Sequence, residues 1–264
     1  MTDPAAGGVP GGAGAVGGAG AVGGAGRPAY YAARPGRWRD WWTLLHPPYT
    51  AWHLSYVVIG ASLAPRVSLS HLLYAVAAFF LAVGVAAHAL DELHGRPLRT
   101  GIPAWALIAA TVVSLAGAVG LGIYGITQTG WLLLPFMLTG PVLVVAYNAE
   151  MFGGIIHTDL GFAATWGAFP VLTGYIAQDG TLGLPAVAAA GAALALSAAQ
   201  RRLSTPARTI RRRAVRIDGT MTLADGTVMP LGPDEVLAPL EGALRAMSGG
   251  LILLAAALAT ARLR

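Results

Sequence analysis

A short stretch of this chain, residues 88–99, concentrates side chains that can act in acid–base or electrostatic chemistry. They are His88, Asp91, Glu92, His94, Arg96 and Arg99. The concentration is unusual because only 11% of all residues are charged. His88, Asp91 and Glu92 are spaced i, i+3 and i+4, so a helix would carry them on one face. Carboxylate oxygens on such a face are suitable ligands for a divalent cation such as Mg²⁺.

A second polar stretch, residues 147–159, follows a later apolar segment. It contains Tyr147, Asn148, Glu150, His157 and Asp159. If the apolar segments cross a membrane in turn, both stretches lie on the same side of it. The simpler alternative is that these residues end membrane helices at the water interface, with Glu92 and Arg96 paired at i, i+4. Ionisable groups are tolerated there better than at the membrane centre.

The composition predicts an integral membrane protein. The chain has 264 residues, 55% of them hydrophobic, and a mean hydropathy of +0.62. Its apolar residues occur in blocks of about the ~20 needed to cross a bilayer. The absence of cysteine excludes disulfides, thiolate metal sites and a cysteine nucleophile. All 17 basic residues are arginine, which excludes catalysis through a lysine Schiff base.

The elements that would position the two polar stretches are transmembrane helices, so we expect an all-α polytopic bundle. Seven are predicted, at about residues 49–65, 70–91, 103–126, 131–149, 160–177, 182–200 and 244–262. Their many Gly, Ala and Ser residues permit close backbone approach between neighbours. Pro135, Pro141 and Pro170 should kink two of the helices, and kinks in membrane helices commonly border a cavity.

The distribution of arginine predicts the orientation of the bundle. Counted by alternate sides, fourteen arginines fall on one side, and only Arg66, Arg262 and Arg264 fall on the other. By the positive-inside rule, the N-terminus is then cytoplasmic and the C-terminus external in a multi-pass protein of the cell membrane. Since orientation explains the basic excess, we expect no nucleic-acid partner.

Two segments are predicted outside the bundle. Residues 1–36 are dominated by Gly, Ala and Pro and cannot bury enough surface to fold, which indicates a disordered tail before a transmembrane domain at 37–264. Residues 201–236 form a cytoplasmic loop before the last helix. Its two Asp-Gly pairs, Asp218-Gly219 and Asp225-Gly226, are flanked by β-forming residues and predict a small antiparallel ribbon.

Three sequence pieces resemble the UbiA superfamily of intramembrane prenyltransferases, in its quinone-precursor branch. WTLLHPPYT at 42–50 with VVIGASLA at 57–64 is similar to the entry helix of that family. HALDELHGRPLRTGIP at 88–103 is similar to its first aspartate-rich loop. DLGF at 159–162, GAFPVLTGY at 167–175 and QDG at 178–180 resemble its central loop and fifth helix. Together the pieces cover about residues 42–178.

The resemblance implies transfer of an isoprenoid chain from an allylic diphosphate to a small lipophilic acceptor, with Mg²⁺ at the cytoplasmic face. Metal and arginine would stabilise the charge that develops on the departing diphosphate. The implied metal ligands are Asp91 and Glu92, with Asp159 on the facing loop as a further catalytic residue. The implied substrate contacts are His88, Arg96, Arg99, Tyr147 and Asn148.

The chain also departs from the family pattern. Ala89 stands at the first aspartate position when Glu92 is set on the second, and the arginine-rich residues 208–216 replace the second aspartate-rich loop. Two of the usual nine helices are missing. A site for one metal ion is therefore expected rather than a site for two.

The residues leave two other functions open. One is a non-catalytic membrane protein of the same fold that binds a prenyl lipid, or a partner protein through the ribbon. The other is metal-dependent hydrolysis, for which the candidate ligands are His88, His94, His157, Asp91 and Asp159. The chain lacks the HExxH spacing of many zinc hydrolases.

Overall fold

The computed structural model describes residues 28–263, which form eight helices and one two-stranded ribbon. The helices are α1 Arg37–Leu44, α2 Pro47–Ser62, α3 Leu69–Leu93, α4 Ala104–Thr129, α5 Trp131–Asn148, α6 Asp159–Asp179, α7 Leu184–Arg213 and α8 Pro233–Arg262. The strands are β1 Thr220–Thr222 and β2 Val228–Pro230, paired antiparallel. The predicted all-α bundle with a small ribbon before the last helix is confirmed.

The ribbon forms around the second of the two predicted turns. Gly226 has a positive φ of 84°, and the amide of Leu223 donates to the carbonyl of Thr227 across the turn. In the register, Met221 lies opposite Met229 and Thr222 opposite Val228. Asp218-Gly219 instead precedes β1, where the carbonyl of Gly219 accepts from the amide of Leu231.

Five helices are long and apolar enough to cross a membrane: α3, α4, α5, α6 and α8. The prediction of seven spans is therefore supported for five. The first predicted span corresponds to α2, whose 16 residues fall short of the ~20 that a bilayer requires. The sixth corresponds to the first half of α7, in which alanine, only weakly apolar, is the main residue.

The two ends of the bundle differ in character. At one end lie residues 94–103, 149–158 and 214–232, together with α1; we call this the polar end. Asp40 links α1 to the loop at 94–103, because its carboxylate accepts from the amide of Gly101 at 2.9 Å. At the opposite end, Arg262 donates to the carbonyl of Ala64 at 2.7 Å. Both polar stretches found in the sequence lie at the polar end.

The folded part begins before the predicted boundary at residue 37. Ala29 and Ala32 are only 5% and 3% exposed. The Tyr31 hydroxyl lies 2.7 Å from Nδ1 of His46, and the amide of Ala33 donates to Thr43. Composition suggested a tail because Gly, Ala and Pro dominate it, but tyrosines supply apolar area and a polar handle. Residues 1–27 of the predicted tail lie outside the described residues.

The core is organised around α2, which packs on α6 and α8. Gly60 of α2 faces the backbone of Val171, and Gly174 of α6 faces the backbone of Val57. A Cβ on either glycine would overlap the facing carbonyl oxygen. The close approach predicted from small residues is thus present, and two glycines on facing helices make it possible.

Replacing Gly174 with alanine should force α2 and α6 apart. Strain of this kind typically costs about 1–3 kcal/mol, so thermal unfolding in detergent should occur at a lower temperature. Gly120→Ala is the matched control, because Gly120 lies in a membrane helix with no atom within 4 Å of an added Cβ. Equal unfolding temperatures for the two variants would contradict the proposed close contact.

Candidate functional site

The predicted metal ligand Glu92 serves the loop that follows its own helix. Its side chain is fully buried, and its carboxylate accepts from the amide of Leu98 at 2.9 Å and from the amide of Thr100 at 2.8 Å. The Thr100 hydroxyl is a third donor, at 2.9 Å. Both oxygens are therefore engaged by residues 98–100. Glu92 holds this loop folded against the end of α3.

The two predicted arginine contacts belong to the same loop. Arg96 donates from Nη1 to the carbonyl of Ile102 at 2.6 Å, which closes the loop on itself. The proposed pairing of Arg96 with Glu92 is not formed. Arg99 is exposed. Both arginines have positive φ, 53° and 55°, a conformation that is uncommon outside glycine.

The third predicted carboxylate, Asp159, pairs with an arginine of α7. Oδ1 of Asp159 lies 2.5 Å from Nε of Arg201. Nη1 of Arg201 also donates to the hydroxyl of Tyr147 at 2.7 Å, and its guanidinium lies over the ring of Phe162. Asn148 donates back to the carbonyl of Val144 in its own helix. Tyr147 is thus part of a polar cluster, while Asn148 stabilises the end of α5.

The remaining predicted carboxylate, Asp91, is largely buried at the polar end. It forms no close ion pair with any described residue. The charges of Arg208 and Arg212 act on it from a distance greater than 4.0 Å. His88, one turn earlier, donates from Nδ1 to the carbonyl of Gly84 and stacks on His46 at 4.2 Å. Asp91 and His88 are thus three residues apart in the last turns of α3.

These placements do not assemble the metal site suggested by the sequence. Glu92 is hydrogen-bonded by its loop and Asp159 by Arg201, so of the three predicted carboxylates only Asp91 has no close partner within residues 28–263. Within residues 28–263, no group of three or more His, Asp or Glu side chains is placed to hold a metal ion.

Three arginines of α7 form a positively charged cluster at the polar end. From the sequence alone, the positive-inside rule accounted for them. Arg201, Arg208 and Arg212 are spaced i, i+7 and i+11, so they share one face of α7. This arginine face is directed into the bundle, because Ser197 and Ser204 on the same side are buried. Its spacing was visible in the sequence. Its direction depends on helix packing, which the sequence does not reveal.

The residues facing Arg208 and Arg212 are hydroxyl, imidazole and carboxylate groups from three other segments. They are Tyr31, His46, Tyr49 and Asp91. Arg212 donates weakly to the carbonyl of Pro28 at 3.4 Å, and Arg208 reaches Thr205 at 3.5 Å. Neither bond is strong, so both guanidinium groups keep donors for a further acceptor.

Burial controls the protonation of the groups around the arginine face. Burial lowers the pKa of His46 well below its usual value, and His88, Arg212 and Arg208 lower it further. Burial also raises the pKa of Tyr31 well above 10 and that of Tyr30 to about 12. At neutral pH, His46 is neutral and both phenols are protonated. The positive charge of the site then comes from arginine.

An apolar cavity lies between α3, α4, α5 and α6. Its volume is about 110 Å³, compared with the ~10–15 Å³ that one water needs by a similar measure. It extends along α3 from His71 to Val83, which is about 18 Å of helix. Pro141 borders it, and Gly122, Gly140 and several alanines contribute little side-chain volume. Such a shape suits a hydrocarbon chain.

Comparison of the chain with models of known protein families, with curated proteins and with solved structures gives no significant match. The geometry above is therefore the basis for assigning a function. The UbiA resemblance remains a hypothesis drawn from residues 42–178.

Glu92→Ala should unfold the loop at 94–103. The substitution leaves the amides of Leu98 and Thr100 without an acceptor, at about 1–3 kcal/mol for each buried donor. Hydrogen exchange at these two amides should accelerate, together with a loss of thermal stability. Asp91→Asn is the control and should leave both amides protected. Equal acceleration in the two variants would contradict the role of Glu92 as the acceptor of the loop.

The stability of the polar end should decrease as the solution becomes acidic. The pKa of His46 is lower in the folded protein than in the unfolded chain, where it is ~6.5, so the unfolded state binds the proton first. Stability is complete above pH ~6.5 and falls below it by up to about 1.4 kcal/mol per pH unit.

The pH effect can be measured by hydrogen exchange at residues 29–33 between pH 5 and pH 7. His46→Gln should flatten the pH dependence, while His94→Gln, at an exposed position, should keep it. A wild-type protein with pH-independent exchange free energy over this range would contradict the account.

Proposed function

We propose that this protein binds an isoprenoid diphosphate in the membrane, with the diphosphate on the arginine face and the chain in the apolar cavity. The observation that carries the proposal is the inward direction of Arg201, Arg208 and Arg212 at the polar end of a bundle that contains such a cavity. Guanidinium groups bind phosphate oxygens through paired, charge-assisted hydrogen bonds. The resemblance to UbiA prenyltransferases supports the choice of an allylic diphosphate.

Arginine takes the electrostatic role that the sequence assigned to Mg²⁺. Arg208 and Arg212 have no carboxylate within salt-bridge distance among the described residues, and Arg201, which Asp159 already pairs, adds a third guanidinium group. Binding through arginine also explains why the second aspartate-rich loop of the UbiA pattern is replaced here by an arginine-rich segment. A requirement for Mg²⁺ is therefore not part of the binding proposal.

The proposal includes an orientation and a topology. We place the polar end on the cytoplasmic side of the cell membrane, since most of the arginines lie there. We also propose that α2 and the first half of α7 cross the membrane, which gives the predicted seven spans. α2 is largely enclosed by the other helices, so it needs less apolar surface than a helix facing lipid, and the first half of α7 buries a stripe of small residues against the bundle. The N-terminus is then cytoplasmic.

Prenyl transfer is a second candidate, favoured by the position of Asp91 beside the arginine face. In that reaction the carbon–oxygen bond of the allylic diphosphate breaks and the diphosphate leaves with the electron pair. A lipophilic acceptor then bonds to the allylic carbon and releases a proton. Asp91 is the carboxylate available to take this proton, and the arginine face stabilises the departing diphosphate.

Arg208→Gln should weaken binding of geranylgeranyl diphosphate to the purified protein by about tenfold or more. A hydrogen bond to a charged group contributes about 1.5–3 kcal/mol, and 1.4 kcal/mol corresponds to tenfold in affinity. Titration calorimetry in detergent micelles, without added Mg²⁺, measures the change. Arg213→Gln is the matched control, because Arg213 lies on the same helix and is exposed.

Two outcomes of this experiment would be decisive. Absence of binding at millimolar ligand would refute the proposed function, and equal losses for the two arginine variants would refute the role of the arginine face. Asp91→Asn separates binding from transfer. It should keep the ligand affinity and abolish any prenylated product formed from a labelled diphosphate. If wild-type protein binds the diphosphate and forms no product with any phenolic acceptor, the protein is a binding protein.

A further inference from the structure

Trp166 separates the apolar cavity from the polar end. Its side chain lines the cavity together with Val83 and Val144, which are the lining residues nearest to the polar end on α3 and α5. Trp166 is only 6% exposed and packs in one apolar cluster with these two valines. The three side chains form a wall across the end of the cavity.

The other side of this wall is the arginine cluster. The ring of Trp166 meets the ring of Tyr147 edge-on, with centroids 5.6 Å apart. The Tyr147 hydroxyl in turn accepts from Arg201 at 2.7 Å. Trp166 therefore contacts the cavity through one part of its ring and the residue that orients Arg201 through another. A chain that runs along the bundle interior from the arginine cluster into the cavity has to pass this side chain.

The backbone at Trp166 is held in an unusual way. Residues Ala164–Ala168 form a π-helical segment within α6, and Pro170 has no N–H to donate to the carbonyl of Trp166. Nδ1 of His53 lies 2.7 Å from this carbonyl in a buried position. Because a carbonyl only accepts, the His53 ring nitrogen donates. His53 on α2 thus replaces a hydrogen bond that α6 cannot make itself.

The other side of the same segment is fixed by close packing. Gly167 lies against the carbonyl of Ala193 on α7, with no room for a larger residue. The π-helical segment is therefore clamped between α2 and α7, and the ring of Trp166 is oriented by that clamp. Single π-helical turns within α-helices occur frequently at functional sites.

We propose that Trp166 determines which isoprenoid diphosphates enter the cavity, with His53 as the positioning residue that holds it in place. The inference rests on the proposed function. A headgroup without a chain reaches the arginine face with the wall closed. A long isoprenoid chain whose diphosphate is on the arginine face enters the cavity from that end when the Trp166 ring turns aside, so its association is slowed by that motion. The wall thus slows the association of ligands with a long isoprenoid chain, while ligands without a chain associate freely.

The experiment compares association rates of two ligands, inorganic pyrophosphate and geranylgeranyl diphosphate, by stopped-flow fluorescence. Trp166→Ala should accelerate association of geranylgeranyl diphosphate by about tenfold and leave that of pyrophosphate unchanged. Unchanged pyrophosphate binding shows that the variant is folded with an intact arginine face. Trp166→Phe, which keeps an aromatic ring in the wall, should stay close to wild type.

The role of His53 is tested by its ability to donate a hydrogen bond. His53→Ala should accelerate entry of the long chain as Trp166→Ala does. His53→Asn supplies an amide N–H and should restore the slow rate, a rescue that a purely space-filling role would not produce.

Two results would overturn the inference. Equal geranylgeranyl diphosphate association rates in wild type and Trp166→Ala, with pyrophosphate binding intact, would show that Trp166 is no barrier. Failure of both ligands to bind wild-type protein would refute the proposed function, and with it the proposed role of Trp166.

Discussion

The close backbone contact between α2 and α6 is the constraint on which the rest of the structure depends. Gly60 and Gly174 allow the two helices to approach until their backbones touch, in a medium where water does not drive apolar helices together. This approach lets His53 of α2 reach the carbonyl of Trp166 on α6. It also brings Tyr56 of α2 to the buried hydroxyl of Ser197 on α7.

From that contact the other features follow in order. The α2–α6 pair fixes the π-helical segment at Ala164–Ala168, which carries Trp166. Trp166 closes the apolar cavity at the polar end and packs on Tyr147. Tyr147 orients Arg201, the first residue of the arginine face. A shift of α2 would therefore disturb both the cavity and the cluster of positive charge.

Two buried carboxylates at the polar end have the partners that polar groups inside a membrane bundle require. Glu92 is buried, and it is held by the amides of Leu98 and Thr100 together with the Thr100 hydroxyl. Glu241 of α8 is buried as well, and pairs with Arg211 and Arg245. These carboxylates stabilise the polar end. Asp91 has no such ion pair among the described residues.

Part of this organisation could be predicted from the sequence. Apolar blocks predicted the helices, and the pair Asp225-Gly226 predicted the turn of the ribbon, because both depend on local spacing. The span count was too high for the helices that qualify by length and composition: α2 is short and α7 is built mostly of alanine.

The direction of side chains at the helix ends could not be predicted in this way. Glu92 turns to its own loop because the amides at residues 98 and 100 need an acceptor, and that need appears only when the loop is folded. The arginine spacing at 201, 208 and 212 was readable, but the positive-inside rule explained it equally well. Tyr31 was assigned to a tail because its neighbours are Gly, Ala and Pro.

The central claim is that one ligand occupies both the arginine face and the apolar cavity. The most direct measurement is photo-crosslinking with a geranylgeranyl diphosphate that carries a diazirine at the far end of its chain, followed by peptide mass spectrometry. The account predicts crosslinks to cavity residues such as Ala78, Gly122 and Phe136, abolished by excess pyrophosphate. Crosslinks confined to the lipid-facing residues Val112 and Val113, unaffected by pyrophosphate, would contradict it.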